Sequence, residues 1–232
     1  MSVRLLGALD SSPRPAALWC AQPARRISRQ ARGNSIGTLG GAGWLAFVYL
    51  PLRSSVVMAI IFVEPVVNLK FRDATLDDVP VIAALQNAAA GALTARFGVG
   101  HWSTLGSERS AALAQRHARV RVGRDGKRIL TVLRLATKKP WAIDVAYFTP
   151  VKRPLYLTGM AVAVTHQGQG LGQLALDDAR TVATDWPADA IRLDAYDHKA
   201  GAGEFYLKCG YQERGHVVFK GDPLAYYELL LR

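Results

Sequence analysis

The stretch Gln167-Gly168-Gln169-Gly170-Leu171-Gly172 lies between an apolar run, Leu155 to Val164, and a segment whose Leu171, Leu174, Ala175, Ala179 and Val182 share one helical face. A glycine-rich turn between a buried strand and a helix frees several backbone N–H groups. It aims them, together with the positive end of the helix dipole, at an anion. Gly170 and Gly172 have no Cβ, so the backbone can approach that anion closely, and a diphosphate suits such a cradle. The spacing is not the dinucleotide pattern GxGxxG, and no Lys-Ser/Thr follows the last glycine as a nucleotide-hydrolysing loop requires. Taken alone, the turn reads equally well as a tight strand-to-helix connection.

The segments around it are regular. Upstream, Val66 to Arg72 alternates as a strand from Val67 onward, and Thr75-Leu76-Asp77-Asp78 supplies an N-cap and acidic first turn for a helix through Ile82, Leu85 and Ala89. A second helix is expected over about Glu108 to His117, after a loop with Phe97, His101 and Trp102. Val120–Val122 and Ile129–Ala136 then flank the turn Arg124-Asp125-Gly126-Lys127 as a hairpin. Downstream, Pro187 stops the helix that follows the turn. Ile191 to Tyr196 reads as a strand, Ala202 to Cys209 as a short helix, and Val217–Phe219 with Tyr226–Leu231 as a closing pair of strands. The expected fold is a mixed α/β sheet flanked by helices, without internal repeats.

Residues 1–57 read differently. No acidic residue stands between Asp10 and Glu64, and the segment mixes Pro13, Pro15 and Pro23 with Arg25, Arg26, Arg29 and Arg32 before Gly40-Gly41-Ala42-Gly43. It offers neither helical nor strand periodicity and is expected to lie outside the folded domain, as an extension or as a start assigned too early, with translation beginning near Met58. The domain is then 58–232. An intact mass from the native source that retains the first 57 residues would rule out the later start. The apolar run from Trp44 to Val63 is broken by Pro51 and Arg53 into pieces of about ten residues, whereas a membrane span needs roughly 20 uninterrupted ones. No membrane association is expected.

The 232 residues are half apolar and one-fifth charged, enough for one full domain with a substantial core. Of the net charge of +11, +5 falls on residues 1–64, leaving a moderate +6 spread over the remainder. That balance suits a phosphate-rich small molecule, and no nucleic-acid partner is expected. Cys20 and Cys209 are far apart without metal or disulfide spacing, and the five histidines show no paired ligand spacing, so no metal site is expected and a reducing cytoplasm fits.

With these segments in place, the sequence resembles the GNAT superfamily of N-acetyltransferases over about residues 66–232. Gln167 to Gly172 matches that family's Q/R-x-x-G-x-G/A signature at the end of an apolar strand. Ala202-Gly203-Glu204-Phe205-Tyr206-Leu207-Lys208-Cys209-Gly210-Tyr211 is similar to A-x-x-F-Y-x-K-x-G-F/Y, and Leu69 to Thr75 with Asp78 is similar to the family's opening. The resemblance implies a largely antiparallel central sheet whose fourth and fifth strands splay apart, with acetyl-CoA as co-substrate in the gap. Met160, Ala161 and Val162 would hold its pantetheine arm through the main chain, and Gln167, Gly168, Gln169, Gly170, Leu171 and Gly172 its pyrophosphate.

The implied reaction is direct attack of a neutral amine on the thioester, with the acceptor a primary amine of a small molecule or protein. Tyr206 holds the position of the acid that protonates the departing thiolate; the other reading of Tyr206 is packing beneath the cofactor. The family's frequent carboxylate on the fourth strand is missing from Leu155 to Met160, which leaves Asp144, Asp194 or His101 as candidate bases. It also keeps open a CoA-binding regulatory module without turnover. Lys199, where the family commonly has Asn, is a candidate for a CoA phosphate, and Lys208 raises the same question. Phe97, Trp102, Trp141 and Tyr147 are candidates for an aromatic wall around the acceptor. A monomer or homodimer is expected.

Overall fold

The computed structural model describes residues 3–4, 36–38, 44–52, 55–63 and 67–231, with side chains from residue 67 onward. Two compact units result, Met1–Val67 and Asn68–Arg232. In the first, strands Val3–Arg4, Ser55–Val63, Trp44–Leu52 and Ile36–Thr38 lie side by side in that order as an antiparallel sheet. The apolar run is thus two paired strands, with Leu52 opposite Ser55. The Pro- and Arg-rich stretch, Gly40–Gly43 and Cys20 lie outside the described residues. Among the described residues no helix is long and apolar enough to cross a membrane.

The second unit carries a seven-stranded sheet: β1 (Lys70–Asp73), β2 (Arg119–Asp125), β3 (Arg128–Ala136), β4 (Pro154–Val162), β5 (Ala190–Tyr196), β6 (Gln212–Phe219) and β7 (Asp222–Leu230). Their spatial order is β6-β7-β5-β4-β3-β2-β1, and every neighbouring pair is antiparallel except β4 with β5. The mixed, helix-flanked sheet of the sequence reading is therefore present. Its helices are α1 (Val79–Phe97), α2 (Glu108–His117), α3 (Leu171–Asp185) and α4 (Gly203–Lys208).

Local chemistry accounts for the element ends. Thr75 N donates to Asp78 Oδ2 at 3.0 Å ahead of α1, Ser107 Oγ accepts from Ser110 N at the start of α2, and Gly98 stops α1 with φ +84°. β2 and β3 join through the two-residue turn Gly126-Lys127, with Gly126 at positive φ, and β6 and β7 through Lys220-Gly221, where both residues have the positive φ that suits a twisted hairpin.

The two faces of the sheet are covered differently. Against α3 and α4 lies one continuous apolar cluster that includes Leu133, Leu135, Leu155, Leu157, Ile191, Leu193, Ala175, Leu176 and Val182. Each fully buried aliphatic side chain there contributes about 1.5–3 kcal/mol. Leu174, expected on the buried face of α3, is 46% exposed, and Leu176 takes its place in the core. On the opposite face, α1 and α2 cover β2 and β3 with Val79, Ile82, Leu85, Val120, Val122 and Val132. A separate group, Ile143, Phe148, Tyr156 and Tyr226, seats the 140–148 loop over the other half.

That loop is anchored by charge. Glu228, fully buried on β7, accepts from Arg192 Nε at 2.9 Å, Arg214 Nε at 2.9 Å and Thr149 N at 3.2 Å, and Arg192 also donates to the Thr149 carbonyl. A buried carboxylate with all of these donors is satisfied; stripped of them it would carry a large desolvation penalty.

Candidate functional site

Parallel pairing of β4 with β5 ends after three residue pairs, Pro154↔Ala190, Leu155↔Ile191 and Tyr156↔Arg192. Beyond them the two strands separate, and residues 157–162 have a strand neighbour on the β3 side alone. A cleft of about 580 Å³ lies along this part of β4, lined by Ala89 and Leu93 of α1, Met160, Ala161 and Val162, the turn, and Phe205, Tyr206, Lys208 and Cys209 of the α4 region. A second cleft, about 510 Å³, lined by Arg116, His117, Arg119, Asp185 and Trp186, contains none of the motif residues.

The turn has the geometry that its glycines were read for, with a redistribution of roles. Gly168 and Gly170 sit at φ +76° and +82°, and Gly170 is the residue from which α3 starts. As the first residues of a helix, Leu171, Gly172 and Gln173 have amides with no carbonyl one turn behind them. Gly172 serves packing: a Cβ there would stand 3.1 Å from Phe205 Cζ. The glutamine side chains brace the loop from within, Gln167 Nε2 donating to the Val162 carbonyl at 3.2 Å and Gln169 Nε2 to that of Thr165 at 3.4 Å. Gln167, Gly168, Gly170 and Gly172 line the cleft, Leu171 is buried in the core, and Gln169 is not among the lining residues.

Tyr206 is 7% exposed, packs on Phe205, Tyr211 and Tyr227, and points its hydroxyl at Met160 Sδ, 3.9 Å away. Burial pushes its phenol far above the ordinary value, and the charge of Asp194 adds to the shift. The proton therefore stays on Oη across the physiological range.

The three candidate bases separate clearly. Asp144 Oδ1 accepts from Ala146 N at 3.0 Å and caps a short turn, and His101 Nε2 pairs with Asp222 Oδ2 at 2.5 Å. Asp194, on β5 just past the divergence, has no ion pair among the described residues, and burial raises its carboxyl above the usual range. Tyr226 is its partner in the β5–β7 register, and its charge also raises the phenols of Tyr196 and Tyr226.

The four loop aromatics do not form one wall. Trp102 meets Tyr196 edge-on at 5.8 Å and stacks on His198 at 5.2 Å, and Tyr147 meets Tyr226 edge-on at 5.4 Å, so these two flank Asp194 through the tyrosines on either side of it. Phe97 lies under the Arg96 guanidinium at the end of α1, and Trp141 is 89% exposed. Lys199 is exposed and lies outside the cleft lining, whereas Lys208 is part of it. His166 and Gln173 also line the cleft; nothing in their spacing marks them, because they reach it only through the path of the turn.

Residues 101–211 match the model of the acetyltransferase (GNAT) family. Over that segment the chain is similar to the GNAT acetyltransferase family. Members of the family use acetyl-CoA as acetyl donor. Among solved structures, the domain is similar to an N-acetyltransferase from Staphylococcus aureus Mu50 (TM-score 0.54, 17% identity, 71% of this chain and 99% of that one). It is similar to a putative acetyltransferase from Salmonella typhimurium, solved with its cofactor acetyl-CoA (0.54, 15%, 71% and 94%). A ribosomal-protein-alanine N-acetyltransferase from Brucella melitensis is a further neighbour (0.53, 18%, 70% and 100%). At these identities the likeness is one of fold. No curated protein sequence matches this chain.

Proposed function

We propose that the second unit, Asn68–Arg232, rather than the 58–232 expected from the sequence, transfers the acetyl group of acetyl-CoA to a primary amine by direct attack. The observation that carries this reading is the early end of β4–β5 pairing, beside which lies a cleft lined by the glycine turn and Tyr206, with Asp194 on β5 two residues past the last pair. When bound, acetyl-CoA supplies an activated acyl group as a thioester. The cleft suits it: Met160, Ala161 and Val162 would hold the pantetheine by their main chain, the turn amides from Gly168 to Gly172 the pyrophosphate, and Lys208 rather than Lys199 a phosphate charge.

An incoming ammonium must lose a proton before its nitrogen can attack. Asp194, desolvated and without a cationic partner, is the basic group best placed to take it, directly or through a water. Tyr206 Oη, which stays protonated, offers its hydrogen to the departing sulfur. The missing carboxylate on β4 is thereby made good from β5, which favours turnover over a purely regulatory CoA-binding module.

The test is thiol release from acetyl-CoA across a panel of amines, coupled to a thermal shift with the cofactor alone. Saturation at about 100 times the dissociation constant should stabilise the fold by roughly 2.7 kcal/mol. Gly170→Trp should abolish both signals. A shift without turnover on any amine would leave the regulatory module standing, and no shift at millimolar acetyl-CoA would refute the reading.

A further inference from the structure

Strand pairing aligns three polar residues in one row across the divergence. Arg134 of β3 is opposite Thr158 of β4, and Thr158 lies two residues past Tyr156 just as Asp194 lies two past Arg192, the partner of Tyr156. Side chains alternate along a strand. Because Leu133, Leu135, Leu157 and Leu193 all enter the core against α3 and α4, Arg134, Thr158 and Asp194 project from the opposite face. There the row falls between the two apolar groups that cover this face.

Arg134 is unusual among its kind. Of the arginines between 67 and 231 that are not exposed, Arg119, Arg121, Arg124, Arg192 and Arg214 each touch a carboxylate. Arg134 touches none among the described residues. Burial alone acts on its guanidinium, lowering its pKa. A shielded cation without a counter-ion is costly, and its retention calls for a compensating anion.

The guanidinium is also held in position. Gln86 Oε1 accepts from Arg134 Nη2 at 3.4 Å, and Gln86 Nε2 donates to the Gly159 carbonyl at 2.8 Å. The bulge between β3 and β4 makes room for it: Gly159 has φ +59°, and a Cβ there would stand 2.6 Å from Arg134 Nε. Nε and Nη1 make no hydrogen bond, yet neither is sealed from solvent.

Resting on the acetyl transfer proposed above, we infer that the acceptor is an amine bearing a carboxylate or similar anion close to its nitrogen, as in an α-amino acid, with Arg134 as the residue that binds the anion. Asp194 faces the ammonium and Arg134 the carboxylate. The two are separated by one intervening strand, at least about 10 Å between backbones since β4 and β5 have already parted at this level, and the long arginine side chain shortens that gap towards the size of a small zwitterion. A polycationic amine would set one of its charges against Arg134 and is disfavoured.

The experiment titrates protein saturated with CoA, which permits no turnover, with free proteinogenic amino acids and their C-terminal amides. In the wild type at least one amino acid should bind about 10- to 100-fold tighter than its amide, the range of a charge-assisted pair. Arg134→Gln should remove the difference and leave amide binding unchanged, and Arg134→Lys should keep part of it. Equal affinity for acids and amides, a preference that survives in Arg134→Gln, or no amino acid binding at millimolar concentration would overturn the inference. Should Arg134→Gln fail to fold, the wild-type comparison and Arg134→Lys decide. Acetylation of plain or polycationic amines with no carboxylate preference would refute this inference alone, whereas failure of CoA itself to bind would refute the function beneath it.

Discussion

The two faces of the central sheet solve different problems. Against α3 and α4 the apolar cluster is unbroken from β3 to β7 and closes around the helix that starts at Gly170. The other face has two smaller clusters, and between them stand Arg134, Thr158 and Asp194. Continuous burial makes the first face rigid, so it can hold backbone amides in fixed directions. The second interrupts its apolar cover along one row and holds there two charged groups, Arg134 and Asp194, that have no ion pair among the described residues. The first face supplies most of the burial and carries Tyr206; the other carries Asp194 and Arg134.

Substitutions at the split face should separate activity from stability. Asp194→Asn removes the proposed proton acceptor, and kcat/KM should fall by about 10²- to 10⁴-fold with loss of the acid limb of the pH–rate profile. In the wild type that limb should lie above the usual carboxylate range, the rate falling as pH drops through the raised value. Stability should move the opposite way. A carboxyl whose folded pKa exceeds its unfolded one binds more protons when folded, so its contribution is lost as pH rises from about 4 through the raised value. Asp194→Asn should therefore melt at or above the wild-type temperature near neutral pH; a lower melting temperature would contradict the assignment of desolvation as the cause.

Glu228→Ala should do the reverse, leaving two arginines without their shared carboxylate and costing about 3–5 kcal/mol in a denaturant titration. The smallest effect belongs to Trp141→Ala. Its ring is 89% exposed, so stability should stay within about 0.5 kcal/mol and turnover unchanged. A marked loss of turnover would instead make Trp141 part of the acceptor wall.

What the sequence discloses here is what depends on neighbours along the chain. The glycine turn, the helix it starts, the hairpin around Gly126 and the Phe205-Tyr206 motif are all local, and each lies where its residues indicate. β6 was legible only at Val217–Phe219: its first half, Gln212 to His216, is polar because it lies on an edge where Glu213 and His216 form ion pairs across the surface. Asp144, Asp194 and His101 were indistinguishable, since only tertiary placement pairs His101 with Asp222 and leaves Asp194 without a cation. Arg134 gave no signal at all. Its interest lies in what it fails to touch, and no local pattern encodes that.

The contact between Gly172 and Phe205 ties the two signature motifs into one object. The helix carrying the turn and the segment carrying Tyr206 meet so closely that a methyl group at 172 would press on the Phe205 ring. A side chain at 172 would require the Phe205 ring to yield by a few tenths of an ångström, so changes at the two positions are coupled, and the fit of one motif is felt by the other.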